Sequence, residues 1–575
     1  MVFLNKEKLL KVARKEVLAD LLVKNAKIIN VFTKEIEYGN LAISDGYFIG
    51  VGDYKAVEEI DLKGSYIAPG FIDGHVHIES SMLTPNNYAQ AVLPRGTTSV
   101  VADCHEIANV CGEIGIDFML EASKNLPLDV YMMIPSCVPS TKFETSGAFL
   151  RAENIKKYVN NNRVLGLGEM MDYPGTINGD KEVLKKIELF SHKVIDGHAP
   201  GVYKEDLNAY CLAGVKTCHE CTTPDELVEK VKRGMYIHLR EGSQTKNVRD
   251  LLPGINQKYY SHILFCSDDL HPLDIGKIGH IDNNINIAIQ YGIDPIEAIS
   301  MATINIANCY NINDSGAISP GRKADFVVFD SLEKIEVKKV YKNGKLVVSD
   351  SEVLFSSEHL DYTGVLDTVK FNIDNVNLEY KLKSDFVNVI GLIKNNVTTL
   401  KLKRNVVLND LIFYPKLNDD LLKLVVIERH RLTGNIGKGI VEGYGLKDGA
   451  IAMTIAHDSH NLVCIGDNDL DMLCAINKIK DIGGGIVIAK DNRVIDYLQL
   501  AVGGLMSTEN LEFVSNKISN LEKIARKIGV SKDIEDPFLQ LAFLSLTVIP
   551  ELKLSDFGLF DVNNFRIIPL EVGDN

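Results

Sequence analysis

From residue 66 onward the chain repeats one pattern: an apolar, β-branched run, then a polar or charged cluster, then a segment with helical spacing. The runs are Tyr66 to Ile72, Thr97 to Ala102, Asp129 to Ile134, Val164 to Met170, Lys193 to Gly197, Val215 to Cys218, Met235 to Leu239 and Ile263 to Ser267, eight in all. Helical spacing recurs between them over Glu106 to Ser123, Asp180 to Ser191, Lys204 to Leu212 and Pro224 to Arg233, the last opened by the capping residue Thr223. Eight strand and helix alternations predict a closed parallel barrel. An open doubly wound sheet is the competing architecture, but no G-x-G-x-x-G follows a strand, and Gly437, Gly439 and Gly443 have a different spacing.

Outside the barrel, Leu22 to Tyr54 alternates in short strands with turn signals at Asp45-Gly46 and Gly52-Asp53, and Gly321 to Val348 reads the same way. Because the two pieces flank the barrel, they are expected to pair in a small β-sandwich. Met1 to Asp20 reads as an amphipathic helix. After about residue 365 new strands and glycine turns appear, followed by a helical pattern near Asn510 to Lys532. The expected fold class is therefore α/β: a (β/α)8 TIM-like barrel with a flanking small β-sandwich and an additional C-terminal α+β domain. The expected divisions are 1–65 (helix and first part of the sandwich), 66–314 (barrel), 315–360 (second part of the sandwich) and 361–575 (C-terminal domain).

Composition narrows the class. A chain of 575 residues is too long for one ordinary core, and 46% hydrophobic with 24% charged residues is the balance of a soluble globular protein. The net charge of −15 argues against a nucleic-acid binder, which needs concentrated Lys and Arg. No segment matches a membrane span of about 20 apolar residues, the nearest being Leu541 to Ile549, and the N-terminus lacks the apolar core of a signal peptide. Ten scattered cysteines read as reduced thiols, and Cys218-x-x-Cys221 has no second pair to complete a zinc knuckle. The expected location is cytoplasmic.

The chemistry sits at the strand ends. His75 and His77 close the first run and, by strand alternation, point the same way. Then come His105 with Glu106, Glu169, His198, His219, His238 with Arg240 and Glu241, and finally Asp268, Asp269 and His271. Only 14 histidines occur in the chain, so this concentration at the face where such barrels carry chemistry suggests metal ligation. Neutral imidazoles bind borderline divalent ions, and a carboxylate between two ions can bridge them; Glu169, approached through Gly166 and Gly168, is the best candidate. Asp268, the first carboxylate past the last run, is favoured over Asp269 as ligand and proton acceptor. The reaction class is metal-assisted hydrolysis.

With these residues in place, the chain resembles the amidohydrolase superfamily and, within it, the bacterial adenine deaminase family. The matching pieces are Pro69-Gly-Phe-Ile-Asp-Gly-His-Val-His-Ile-Glu-Ser-Ser, Gly168-Glu-Met-Met, Asp196-Gly-His-Ala-Pro-Gly, His219-Glu, Arg240-Glu-Gly-Ser and Cys266-Ser-Asp-Asp-Leu-His-Pro, and Ala456-His-Asp-Ser-His-Asn461 carries the likeness into the C-terminal domain. The resemblance implies hydrolytic deamination of adenine to hypoxanthine and ammonia in purine salvage, with two divalent ions per subunit, Mn2+ or Fe2+ ahead of Zn2+. It implies His75, His77 and Asp268 on one ion, His198 and His219 on the other, and Glu169 as the bridge in place of the carboxylated lysine of many relatives. Glu241, His105 and Glu106 are then candidates to protonate the purine ring, and Arg240, Ser243, Glu106 and Asp269 to contact or orient the base. A homo-oligomer, a dimer by default, is expected. His457 and His460 read as structural, with reach to the active-site mouth as the alternative. A cyclic-amide hydrolase is the competing activity; a catalytically dead scaffold is disfavoured because every expected ligand position is filled.

Overall fold

Eight parallel strands form the barrel in a computed structural model that describes residues 6–356 and 360–573. They are β1 (Phe71–Val76), β2 (Thr97–Asp103), β3 (Asp129–Ile134), β4 (Val164–Met170), β5 (Val194–Gly197), β6 (Thr217–Cys218), β7 (Tyr236–Arg240) and β8 (Ile263–Cys266). Strands β1 to β5 pair consecutively in one sheet and β6 to β8 in another. Lys216 N donates to Ile195 O and Asp268 N to His75 O, each at 3.0 Å, and these bonds join the sheets into a ring. All seven residues of β2 are buried, as expected of a parallel strand covered on both faces.

The first apolar run divides in two. Tyr66–Pro69 pairs outside the barrel, and β1 starts at Phe71. Gly70 makes the joint, where a Cβ would lie 2.2 Å from Thr98 Oγ1. The helical pattern of Glu106 to Ser123 likewise breaks into His105–Cys111 and Glu113–Ala122 at Gly112, whose φ of 60° and ψ of −137° cannot continue a helix. Spacing alone cannot register such a kink.

The two flanking pieces join in one nine-stranded sheet, through Phe326–Phe329 lying antiparallel to Tyr66–Pro69. Charge ties this sheet to the barrel floor: Asp129, at the start of β3, meets Lys323 at 2.9 Å and Lys342 at 2.8 Å, and Lys342 also meets Asp325 at 2.6 Å. The N-terminal helix ends at Ala13, earlier than expected, because the chain turns there with Lys15 at φ 64°, and strand Ala19–Asn30 starts beyond the turn; residues 1–5 of that expected helix lie outside the described residues.

Beyond residue 380 an eight-stranded sheet carries helix Asp469–Ile482. The helix is capped by Asn468, whose side chain accepts from Asp471 N at 2.9 Å, and ends at Gly483 with φ 72°. Strand alternation divides its central strand between two cores: Val425 and Ile427 pack under Met472, Ile476 and Ile479, whereas Leu424 and Val426 belong to the core shared with the barrel. Each such buried side chain stabilises the fold by about 1.5–3 kcal/mol. Among the described residues no helix is long and apolar enough to cross a membrane. The apolar stretch near residue 545 instead supplies Phe543, Leu546, Val548 and Ile549 to the wall of a pocket above the barrel.

Candidate metal centre and substrate pocket

The strand ends bring the two histidines of β1 and its following residue together so that His75 Nε2 and His77 Nε2 lie 3.2 Å apart, aimed at a common point. The other nitrogen of His77 is set by Asp103 O at 3.0 Å. Glu169, at the end of β4, presents its two oxygens to two different groups. Oε1 lies 3.2 Å from His77 and 3.8 Å from His75, and Oε2 lies 2.7 Å from His198 Nδ1 and 3.3 Å from His219 Nε2. Asp268 Oδ1 completes the first group, 3.4 Å from His77 Nε2 and 3.8 Å from His75 Nε2. A strained backbone turns this carboxylate inward, with Asp268 at φ 57°.

These donors suit divalent cations. Ring nitrogens and carboxylate oxygens from five strand ends converge within 4.8 Å in overlapping groups: His75, His77 and Glu169; His75, His219 and Asp268; Glu169, His198 and His219. Burial alone would raise the pKa of Glu169, but hydrogen bonds from His198, His219 and His77 outweigh it and hold the carboxyl well below its usual range. Burial opposes a charge on His219 as well, yet Glu169 lifts its pKa to about 9.

Polar residues behind this cluster fix the directions of its side chains. Asp103 accepts from Glu169 N at 2.9 Å and His105 N at 3.1 Å, and Asp73 accepts from His75 N at 3.2 Å and Ser267 N at 3.0 Å. Neither aspartate stands out in the sequence, because each acts through backbone amides. Glu220 is the larger omission. Arg240 donates to both of its oxygens, with Nη2 at 2.9 Å, and its Nη1 also meets Asp268 Oδ2 at 2.7 Å. The guanidinium therefore holds Asp268 and Glu220 together at the edge of the pocket. An arginine at a strand end was itself the signal that a buried counter-ion stood nearby.

The pocket is lined by His77, His105, Glu106, Glu169, His198, His219, Arg240, Asp268 and Asp269, together with Glu220 and C-terminal residues His457, Asp458 and Phe543. Glu241 and Ser243 do not line it. The loop after β7 pairs the backbone of Glu241 with that of Lys246, and Ser243 donates to Asp274. His238 stays inside the barrel, 3.3 Å from Tyr310 Oη, and burial pushes its pKa well below the ordinary value. His271 faces Asp536 at 2.8 Å, away from the ligands. The segment Ile78–Ser81 acts from behind: Ser80 donates to Asp269 at 2.5 Å, and Glu79 accepts from Ile107 N at 3.2 Å, seating the helix that carries Glu106.

His457 lines this mouth, the alternative weighed for it, while His460 lies beside it on the same carboxylate. Both meet Glu106, His457 Nδ1 at 2.8 Å from Oε1 and His460 Nε2 on Oε2. The trio has metal-type donors, but Ala456 N donates to His460 Nδ1 at 3.1 Å. That nitrogen keeps its lone pair, so Nε2 carries the proton that bonds Glu106. The trio is a hydrogen-bonded clamp between barrel and C-terminal domain.

Residues 66–347 match the amidohydrolase family and residues 396–566 the adenine deaminase C-terminal domain. The chain is 50% identical to an adenine deaminase of Clostridium acetobutylicum over 96% of its own length and 97% of the relative's. It is 47% identical to adenine deaminase 2 of Carboxydothermus hydrogenoformans, over 96% and 97%. To an adenine deaminase of Geobacillus kaustophilus it is 45% identical, over 97% and 98%. With both family models matched and relatives this similar along nearly the whole chain, the protein belongs to the adenine deaminase family of the amidohydrolases.

Proposed function

We propose that the chain converts adenine and water to hypoxanthine and ammonia, a purine salvage reaction, at a centre of two divalent cations. The observation that carries this reading is the division of the Glu169 oxygens between two histidine groups at the pocket floor. His75, His77 and Asp268 hold one cation, His198 and His219 the other, and Glu169 joins them. Mn2+ or Fe2+ is the assigned metal, Zn2+ the alternative with the same ligand preferences. When bound, the pair lowers the pKa of water towards about 7 and so makes a nucleophile available at neutral pH. Asp268 takes the proton lost from that water, with Oδ2 held by Arg240 and Oδ1 turned to the ligands. Phe543, Leu546, Val548 and Ile549 exclude solvent and offer apolar faces to a flat heterocycle. Asp269, steadied by Ser80, is placed to bond its edge. The free cysteines suit the reducing cytoplasm, and a homodimer is the expected assembly.

Metal analysis of the purified protein combined with an adenine assay tests the reading. About two equivalents of Mn2+ or Fe2+, with hypoxanthine and ammonia as products, are expected. Turnover of cyclic imides alone, or full activity after complete metal removal, would sink it.

A further inference from the structure

The Glu106 to His457 contact brings together residues 351 positions apart, one from the barrel and one from the C-terminal domain. The imidazole is fixed on several sides. Its Nδ1 donates to Glu106 at 2.8 Å, and its face stacks on Phe543 with centroids 4.7 Å apart and planes 13° from parallel. Its backbone N donates to Ala542 O at 3.2 Å, and its O accepts from Ser545 Oγ at 3.1 Å. Glu106 in turn is held by His460 and approached by His105 Nε2 at 3.5 Å. His457 lines the same pocket as His219 and Asp268, and with Nδ1 committed to Glu106, Nε2 is the nitrogen it offers to a bound molecule. A buried carboxylate bonded to one imidazole nitrogen fixes the tautomer and stabilises the protonated ring, as in an aspartate–histidine catalytic pair.

We propose that His457, polarised by Glu106, is the general acid that protonates N1 of adenine as water adds to C6. The assignment rests on the adenine deaminase reading above. The C6–O bond forms while Nε2–H of His457 passes its proton to N1, which relieves the charge that addition pushes onto the ring. Asp268 carries the proton taken from water to the exocyclic amine. The C6–N bond then breaks to release ammonia. Loss of the remaining hydroxyl proton from C6 gives the carbonyl, and one proton restores His457, so adenine and water balance hypoxanthine and ammonia. Of the sequence candidates, Glu241 is outside the pocket, and His105 Nδ1 turns towards Glu169 at 3.5 Å.

The charged groups facing His457 are Glu106 from the barrel, Asp269 beyond β8, and Asp458 beside it. Burial disfavours the imidazolium, but Glu106 outweighs burial and lifts its pKa to about 9. The test is kcat against pH for wild-type and His457→Gln holoenzymes, with metal content and Tm measured on both. Wild type should lose activity on a basic limb near pH 9; His457→Gln should keep its metal, lose about 100-fold in kcat or more, and lose that limb. A variant within a few-fold of wild type on an unchanged profile overturns the proposal. If the variant does not fold, the temperature dependence of the wild-type limb decides. Imidazolium ionises with a large enthalpy, so the limb should move to lower pH on warming, and a stationary limb overturns the assignment. Wild type that releases no ammonia from adenine overturns the functional reading; an active wild type with an indifferent variant overturns the role of His457 alone.

Discussion

Glu169 is the residue on which the site turns, because one carboxylate serves both histidine groups. Glu169→Gln keeps the shape but replaces one charged oxygen by an NH2, which presents positive hydrogens to whichever histidine group it faces. Turnover should fall by at least about 100-fold, and both equivalents of metal should bind more weakly when measured by elemental analysis after dialysis. Retained activity would place the bridge elsewhere. The convergence of these residues was legible in sequence because each sits at the end of an apolar run, where the fold leaves it one direction to point. The orientation of Arg240 was not. Its partner Glu220 follows His219 on another strand, and only the closed barrel shows the guanidinium bonded to Glu220 and Asp268.

At the scale of the element, β4 shows how a strand is built around its last residue. Glycines at 166 and 168 let neighbours approach closely: a Cβ on Gly166 would lie 1.9 Å from Val194 O, and one on Gly168 would lie 2.1 Å from Asp103 Oδ2. Asp103 is the group that receives Glu169 N, so Gly168→Ala should both strain the strand and tilt the bridge. A loss of about 1–3 kcal/mol is expected from denaturant unfolding, with reduced metal occupancy in the folded fraction. Unchanged occupancy would show that Asp103 does not set the carboxylate. Apolar periodicity located all eight barrel strands, since burial on both faces writes a continuous run. It could not locate the break at Gly70 or the one at Gly112. Both depend on a neighbour's side chain, Thr98 or Ala148, lying where a Cβ would go, and that is tertiary information.

Across the whole molecule, two of the contacts that bind the barrel to its neighbours differ in kind. The lower joint is the Asp129, Lys323, Lys342 and Asp325 cluster. Burial opposes a charge on Asp129, but Lys342 and Lys323 outweigh it and lower its pKa from 3.8 to about 2. A folded-state pKa below the unfolded one means the unfolded chain binds more protons in between. The stabilisation, about 2 kcal/mol, is thus complete above pH 4 and is lost as pH falls through 2. Asp129→Asn should lower Tm at neutral pH and flatten the acid dependence of stability between pH 4 and 2, while adenine turnover by the folded protein stays as it was. An unchanged acid profile would remove this cluster from the account. The upper joint is the Glu106 clamp with His457 and His460, which no reading of spacing could have found, because its halves lie in different domains of the sequence. It also has a consequence in time. The last barrel strand leaves the ribosome at residue 266, but the pocket wall ends at Ile549, about 280 residues later. At a synthesis rate of about 5–20 residues per second, each new chain carries the whole strand-end cluster for roughly 15 to 60 s before the pocket can be closed. Until then the strand-end cluster stands open on the side that Phe543 and Ile549 later cover.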